Sequence, residues 1–393
     1  MMTGAWLPHI LCAVVGISAW IEINAIFSEL GIMKSLPEGR SLSSIIVVLV
    51  QIGNIFPLIF SFLPKRPQLK WSMILVLSLG MLSLVFLSIL WDRTYFVFGQ
   101  ERSLMLYTGS FIAAGADCLS NIVFWPYVGQ FPHSYITAMG TGESLSSAVS
   151  AVVAASQKAI GFSPSWFFVI VMLVVVMSSA AFVVLESKFA NQLSEEARGL
   201  ATESTSVDLS SPLPVDESEK KETSSSWIFA IIAGVAFVQN GLNPSLIYFA
   251  CKGYSNAGWI SQNALFVASP AMSILASFIR PQKSIVPAVL CWIVTSVLVI
   301  ISAASSGPLI ADEAIGTGVT AGVFIASGAS LAYSKVSAML LLRSRQIPPK
   351  KYQGGSKAYM KQLMTKAGIS MQVGSVCGAV SMFLLIHVGK VFS

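Results

Sequence analysis

Long apolar runs recur along the chain with short polar interruptions, at 6–29, 42–63, 71–91, 104–125, 137–158, 166–186, 227–249, 257–279, 284–304, 314–340 and 367–389. Each is near the ~20 residues that a helix needs to cross the hydrocarbon core of a bilayer. The pattern therefore predicts eleven transmembrane helices. The first run has no basic leader and contains Glu22 and Asn24, which makes it a span rather than a cleaved signal peptide. Residues 187–226 break the pattern, being rich in Ser, Glu, Thr and Pro, with eight acids, four bases and no apolar period. That composition predicts a disordered cytoplasmic linker. It would divide the chain into a six-helix bundle over 1–186, the linker over 187–226 and a five-helix bundle over 227–393. Two bundles joined in this way are the arrangement of a transporter that rocks around a central site. No strong internal sequence repeat stands out, so the division rests on span count and linker position.

Composition agrees. Of 393 residues, 54% are hydrophobic and 11% charged, whereas soluble domains carry about a quarter charged residues. An all-α polytopic membrane protein is expected, with no room for a separate soluble catalytic domain. The net charge of +6 is spread over short loops and calls for no nucleic-acid partner. Lys and Arg concentrate in the loops at 65–70, 280–283 and 343–366, and cytoplasmic loops carry such an excess. The N-terminus is thus expected in the cytoplasm and the C-terminus outside. The stretch Arg343–Lys366 holds seven basic residues and no acid, which reads as a topology signal, or as an attraction for anionic lipid. The five cysteines lie far apart without metal-ligand spacing.

Polar groups at membrane depth carry the candidate chemistry, because they are expensive there and mark cavities, partners or transport paths. On the first span Trp20, Asn24 and Phe27 fall within about 60° of one another, while Glu22 points away and stacks with Glu29. On the fourth span Asp117, Ser120, Asn121 and Phe124 share a face, and Trp125 and Pro126 end the helix. On the fifth, Glu143 heads a serine stripe beside a small-residue face of Gly140, Ser144, Ser147 and Ala151. Asn240, Asn243 and Pro244 mark a broken seventh span, since Pro244 frees a backbone carbonyl one turn earlier. Lys335 lies in a polar patch of the tenth, and Gln372 and Ser375 share a face of the eleventh. The histidines lie at span ends and make no relay. No Walker loop, HExxH or nucleophile elbow occurs, so no enzyme, catalytic residue, metal or resident cofactor is expected. Amides, hydroxyls and aromatic rings with few charges suit a flat, uncharged, hydroxyl-rich solute.

These residues resemble the eukaryotic riboflavin transporter family. The likeness is carried by Gly16, Trp20, Asn24 and Glu29, then Leu36-Pro37-Glu38-Gly39 and Ser41-Leu42, and by Ser120-Asn121 with Phe124 and Pro126. It continues through the stretch Gly140–Ser146, Asn240-Gly241 with Pro244-Ser245, Tyr333-Ser334-Lys335-Val336, and Gln372 with Gly374-Ser375 and Gly378. The resemblance implies eleven helices with the N-terminus inside and a fold similar to equilibrative nucleoside transporters, within a major-facilitator-like arrangement. It also implies riboflavin uptake across the plasma membrane without sodium coupling. The chain departs from vertebrate members in its shorter outer loops, the lack of an Asn-x-Ser/Thr sequon, Arg40 where Trp is usual, and Glu22 where a small residue is expected.

The combined expectation is a riboflavin carrier working by alternating access in the lipid bilayer. Trp20, Phe27, Phe124 and Trp125 are expected to flank the ring system, and Asn24, Asn121, Asn240 and Gln372 to meet its polar edge or ribityl chain. Glu29, Asp117, Glu143 and Lys335 are candidates for gating or pH sensing. The alternatives are a carrier of nucleosides or other flat polyhydroxylated solutes, and a membrane receptor or scaffold acting through the linker or the basic loop.

Overall fold

The computed structural model describes residues 6–63, 67–196, 226–276, 281–344 and 356–392. The basic residues at 65–66 and 280, the side chains over 343–361 and most of the expected linker, 197–225, lie outside that description. Fourteen α-helices are followed below: α1 (Trp6–Ile17), α2 (Ile21–Glu29), α3 (Leu42–Gly53), α4 (Ile55–Ser61), α5 (Leu69–Leu90), α6 (Leu104–Val128), α7 (His133–Ile160) and α8 (Pro164–Lys188), then α9 (Ser226–Phe237), α10 (Asn243–Ala250), α11 (Ala257–Ala276), α12 (Pro281–Ala304), α13 (Glu313–Ser344) and α14 (Ser356–Phe383). A helical segment occupies each of the eleven apolar runs. The first run is a bent pair, with α1 and α2 meeting at 50°.

Among the described residues, eight helices are long and apolar enough to cross a membrane, or nine if the bent pair counts as one span. The expected eleven is not reached by this measure because α7 and α11 are too polar. α7 carries Glu143, Ser146, Ser147, Ser150 and Gln157, and α11 carries Ser261, Gln262, Asn263, Ser269 and Ser273. These two helices pack on each other, with α1 and α2 against α7 and with α13 against α11. Ser146, Ser150, Gln157, Ser261, Gln262 and Asn263 are buried, and a polar face turned to protein is released from the apolarity that lipid demands. By contrast Leu82, Ile89, Val183, Val297 and Val380 are exposed, as lipid-facing rows are.

Before residue 196, α1 packs on α7 and α8, α5 on α6 and α8, and α3 on α6. After 226, α11 and α12 pack on α13, and α9 on α14. Contacts between these two groups run from α7 and α2 to α11, and from α3 to α10 and α14. Two of the helix pairs within the groups are held at backbone distance by glycine. A Cβ on Gly16 would lie 2.2 Å from the Met139 carbonyl oxygen, and one on Gly142 would lie 1.9 Å from that of Ala13. Likewise a Cβ on Gly374 would lie 2.1 Å from the Ala233 carbonyl oxygen, and one on Gly378 would lie 2.5 Å from that of Phe237. Close approach through small residues is what drives helix association where water supplies no hydrophobic force.

The loop after α5 forms a hairpin in which Tyr95–Val97 pairs antiparallel with Gln100–Arg102. Phe98 and Gly99, with φ of 50° and 79°, supply the two left-handed residues that a tight two-residue hairpin turn needs.

Because backbone rather than a flexible side chain faces Gly142, the Gly142→Val variant is expected to force α1 and α7 apart. Overpacking of this kind costs about 1–3 kcal/mol. A lowered apparent Tm and a poorer yield of monodisperse purified protein would record it, with Gly318→Ala, at an exposed glycine with open space around it and no left-handed backbone, as the comparison for a surface glycine change.

Candidate functional site

Two helix breaks build the centre of the molecule. α1 ends at Ile17, the Ser18 hydroxyl turns back to the Val15 carbonyl at 2.7 Å, and Trp20 adopts a left-handed backbone with φ 66°. That conformation costs a bulky residue about 1–2 kcal/mol, so neighbours must hold it. The Asp117 carboxylate on α6 accepts from the Ile23 amide at 3.0 Å, satisfying one of the free N–H groups at the start of α2. The Trp20 indole donates to Asn121 at 3.4 Å, and the Asn24 amide donates to Ser146 on α7 at 3.0 Å.

The second break lies between α9 and α10, where Val238–Leu242 forms a five-residue π-turn. Pro244 has no N–H to offer the Asn240 carbonyl, and the widened turn accommodates that loss. Asn240 donates to Ser375 on α14 at 2.8 Å, and Asn243 donates to Ser327 on α13 at 2.9 Å. Gly241 fits this turn against α14, since its Cβ would lie 2.4 Å from the Gly378 carbonyl carbon.

Between the breaks lies a cavity of about 360 Å³, within the ~300–1,000 Å³ usual for small-molecule sites. Of the expected ligand residues, Trp20, Asn24, Phe27, Asn121, Asn240 and Gln372 line it, and so do Glu143 and Lys335. Glu143 and Lys335 face the same space without forming an ion pair. The ion pairs among the described residues are Lys70 with Glu186 and Arg93 with Asp92, both at 3.9 Å.

Four expected residues stand elsewhere. Phe124 is 2% exposed and packed in the hydrophobic core, and Trp125 stacks against the Gly140 position, where a Cβ would lie 3.1 Å from its ring. Neither lines the cavity, because one turn beyond Asn121 the α6 face has passed it. Asp117 is spent on the α2 terminus. Glu29 is wholly buried at the far end of α2 and accepts from Gln157 at 3.2 Å. Conversely Gln51, Asn54, Gln239, Gln262 and Phe266 line the cavity without having been singled out. Gln51 and Asn54 sit in an apolar run whose polar positions gave the only signal. Gln262 and Phe266 are i and i+4 on α11, a spacing that would have found them.

The cavity is roofed at the end of the bundle opposite the N-terminus. There Lys158 at the end of α7 lies over the Trp259 ring at 4.3 Å, and Gly31 abuts Trp259 closely enough that a Cβ would lie 2.7 Å from it. Ser43 donates to the Ser245 carbonyl at 3.3 Å, and Ser44 is 2.8 Å from His387. Deeper, Ser147 donates to the Phe266 carbonyl at 2.9 Å. Below this roof the lining continues toward the N-terminal end as far as Asn54, Ser273 and Lys335. The loop carrying the roof is pinned by Glu38, whose carboxylate accepts from the Ser103 amide at 2.8 Å, the Ser103 hydroxyl at 2.7 Å and the Tyr107 hydroxyl at 2.5 Å.

A helical membrane bundle whose two broken helices face a polar and aromatic central cavity has the build of a solute carrier, not of an enzyme. The fold agrees. It superposes on the nucleoside transporter NupG with a TM-score of 0.60 at 10% identity, covering 97% of this chain and 91% of that one. It matches a D-xylose-proton symporter with a TM-score of 0.58 at 12% identity, covering 98% and 91%. The sequence model of solute carrier family 52, riboflavin transporter, matches residues 4–161 and 154–393, and the chain belongs to that family. It is similar to riboflavin transporter member 3-A of Danio rerio, 26% identical over 446 residues and covering 98% of this chain and 96% of that one. It is also similar to member 2 of Homo sapiens, 27% identical over 450 residues, covering 98% and 95%.

The Leu36-Pro37-Glu38-Gly39 motif thus has a mechanical meaning. Burial works against the Glu38 charge, but the hydroxyls of Tyr107 and Ser103 and the Ser103 amide outweigh it and hold the carboxyl below the usual glutamate range. A group held low in the folded state stabilises the fold above its unfolded value, about 4.3 for glutamate, and that contribution is lost as pH falls through the folded value. Thermal melts across acidic pH are expected to show this loss in the native protein. Glu38→Gln is expected to melt lower at neutral pH and to lack that component of the acid slope.

Proposed function

We propose that this chain carries riboflavin across the plasma membrane by alternating access, without sodium. The family match along the whole chain supports the cargo, and the lining of the cavity supports the site. In this reading Trp20 and Phe27, with Phe266 from the opposite wall, flank the flat ring system, an arrangement aromatic faces favour. Asn24, Asn121, Asn240 and Gln372 meet its polar edge and ribityl hydroxyls. One acid, Glu143, and one base, Lys335, leave the cavity without net charge, as suits an uncharged solute.

The helices before and after 197–225 act as the two moving units, 1–186 and 227–393, with the N-terminus in the cytoplasm and the C-terminus outside. The roof at Lys158, Trp259 and His387 is then the closed external gate, and the conformation faces inward. Glu143 and Lys335, on opposite walls, approach each other when the inner side closes, while Glu29 serves the external gate.

Radiolabelled riboflavin uptake by cells expressing the chain is expected to be saturable and insensitive to replacing sodium. Trp20→Ala is expected to raise KM by about tenfold, the upper end of an aromatic contact of ~0.5–1.5 kcal/mol, with surface expression unchanged. Competition by unlabelled flavins but not by nucleosides is the expected pattern. The reverse pattern would reassign the cargo to a nucleoside, and no saturable uptake by surface-expressed protein would defeat the reading.

A further inference from the structure

Glu22 takes no part in the cavity. It projects from α2 to the opposite side, 2% exposed, and meets Asp117 of α6, which is 1% exposed. The two buried carboxyl groups adjoin each other. Room for this is made by Gly80 on α5, where a Cβ would lie 2.0 Å from Glu22 Oε1. An ionised carboxylate is an acceptor only, and each of these groups keeps one buried oxygen, Glu22 Oε2 and Asp117 Oδ1, without a donor. Two buried carboxylates in contact cannot both stay ionised, and such a pair shares a proton.

Among the described residues, no base lies beside the pair to balance its charge. The elements packed on α2 are α5, α6, α7, α8 and α11. α11 bears no charged residue. Lys70 of α5 pairs with Glu186 of α8, to which Tyr127 also donates at 2.9 Å, and Lys188 stands at the end of α8. On α7, Glu143 faces the cavity and Lys158 covers Trp259. On α6, Tyr107 is bonded to Glu38, and the Cys118 thiol adjoins Asp117. One proton leaves a single negative charge on the pair, and the Ile23 amide at the positive end of α2 meets it at 3.0 Å.

We infer that Glu22 and Asp117 form a proton-binding site holding one proton between them, and that its occupancy is linked to solute binding in the cavity. The link runs through the first helix break. Asp117 holds the Ile23 amide, and Trp20, Ile23 and Asn24 on either side of that contact line the cavity. A solute that moves these residues alters the proton's hold, and the proton alters solute affinity by the same factor. The linkage rests on the cavity being the solute site, but the proton site itself does not.

Infrared spectra of the purified full chain at neutral pH test the site without any solute. The native-minus-Glu22→Gln difference is expected to show a protonated-carboxyl C=O band, because the introduced amide would offer Asp117 an N–H in place of the proton. The native-minus-Asp117→Asn difference is expected to show the same band. Its absence from both differences would overturn the site. For the linkage, riboflavin affinity read by flavin fluorescence is expected to change about fivefold or more between mildly acidic and mildly alkaline pH in the native protein. Glu22→Gln is expected to bind with an affinity flat in pH. An equal pH slope in both proteins, or none in the native one, would overturn the linkage. If riboflavin bound at no pH, the transport reading would fail and the infrared result would still decide the site.

Discussion

Hydrocarbon offers no hydrogen bonds, so any backbone or amide group freed at membrane depth must find a partner inside the protein or face a wet cavity. The two helix breaks live under that constraint, and most of the polar architecture answers it. At the first break Asp117 reaches across from α6 to hold the Ile23 amide, and Asn24 spends its own amide on Ser146. At the second, Asn240 and Asn243 are tied to Ser375 and Ser327. What remains of the three asparagine side chains faces the cavity. Apart from Asp117 and Ser327, the residues that satisfy the breaks also build the polar chamber.

The breaks are also matched in position. α1 and α2 form the first crossing before the 197–225 stretch, and α9, the π-turn and α10 form the first crossing after it. The α1 partner is α7, engaged through Gly16 and Gly142; the α9 partner is α14, engaged through Gly374 and Gly378. Each broken helix thus lies against a helix at backbone distance, through glycines facing carbonyl oxygens. The two halves share this device although no strong sequence repeat announces it. What they have in common is an alternation of small residues and a break, which several different sequences satisfy.

The helices were legible in the sequence because lipid enforces apolarity on whatever it touches. By length and apolarity alone the same rule reaches eight or nine spans, since α7 and α11 turn buried polar faces to neighbouring helices and their polarity reflects those surroundings. At the site, the helical period correctly set Trp20, Asn24 and Phe27 on one face, and Pro244 marked its break. The period could not say where a face stops facing the cavity. Asp117, Asn121 and Phe124 share a stripe of α6, yet the first holds a helix end, the second lines the chamber and the third is core. Gln51, Asn54 and Gln262 were passed over because single amides in apolar runs look like packing groups until a partner helix leaves them open space. Glu22 pointing away from Trp20 was visible; its meeting with Asp117 at Gly80 belongs to tertiary structure alone.

The roof and the chamber differ in how strongly they are held. The roof sets Lys158 over Trp259 and Ser44 beside His387, but it also buries Trp259 Nε1, Asn263 Oδ1 and one oxygen each of Glu29 and Gln157 without hydrogen-bond partners among the described residues. Each such group costs about 1–3 kcal/mol when desolvated, which offsets much of what the contacts contribute. An end of the bundle sealed on polar groups it does not fully satisfy is held less strongly than an apolar seal would be. Such a seal suits the alternating access proposed above, because a solute that binds both forms shifts an equilibrium only by its difference in affinity between them.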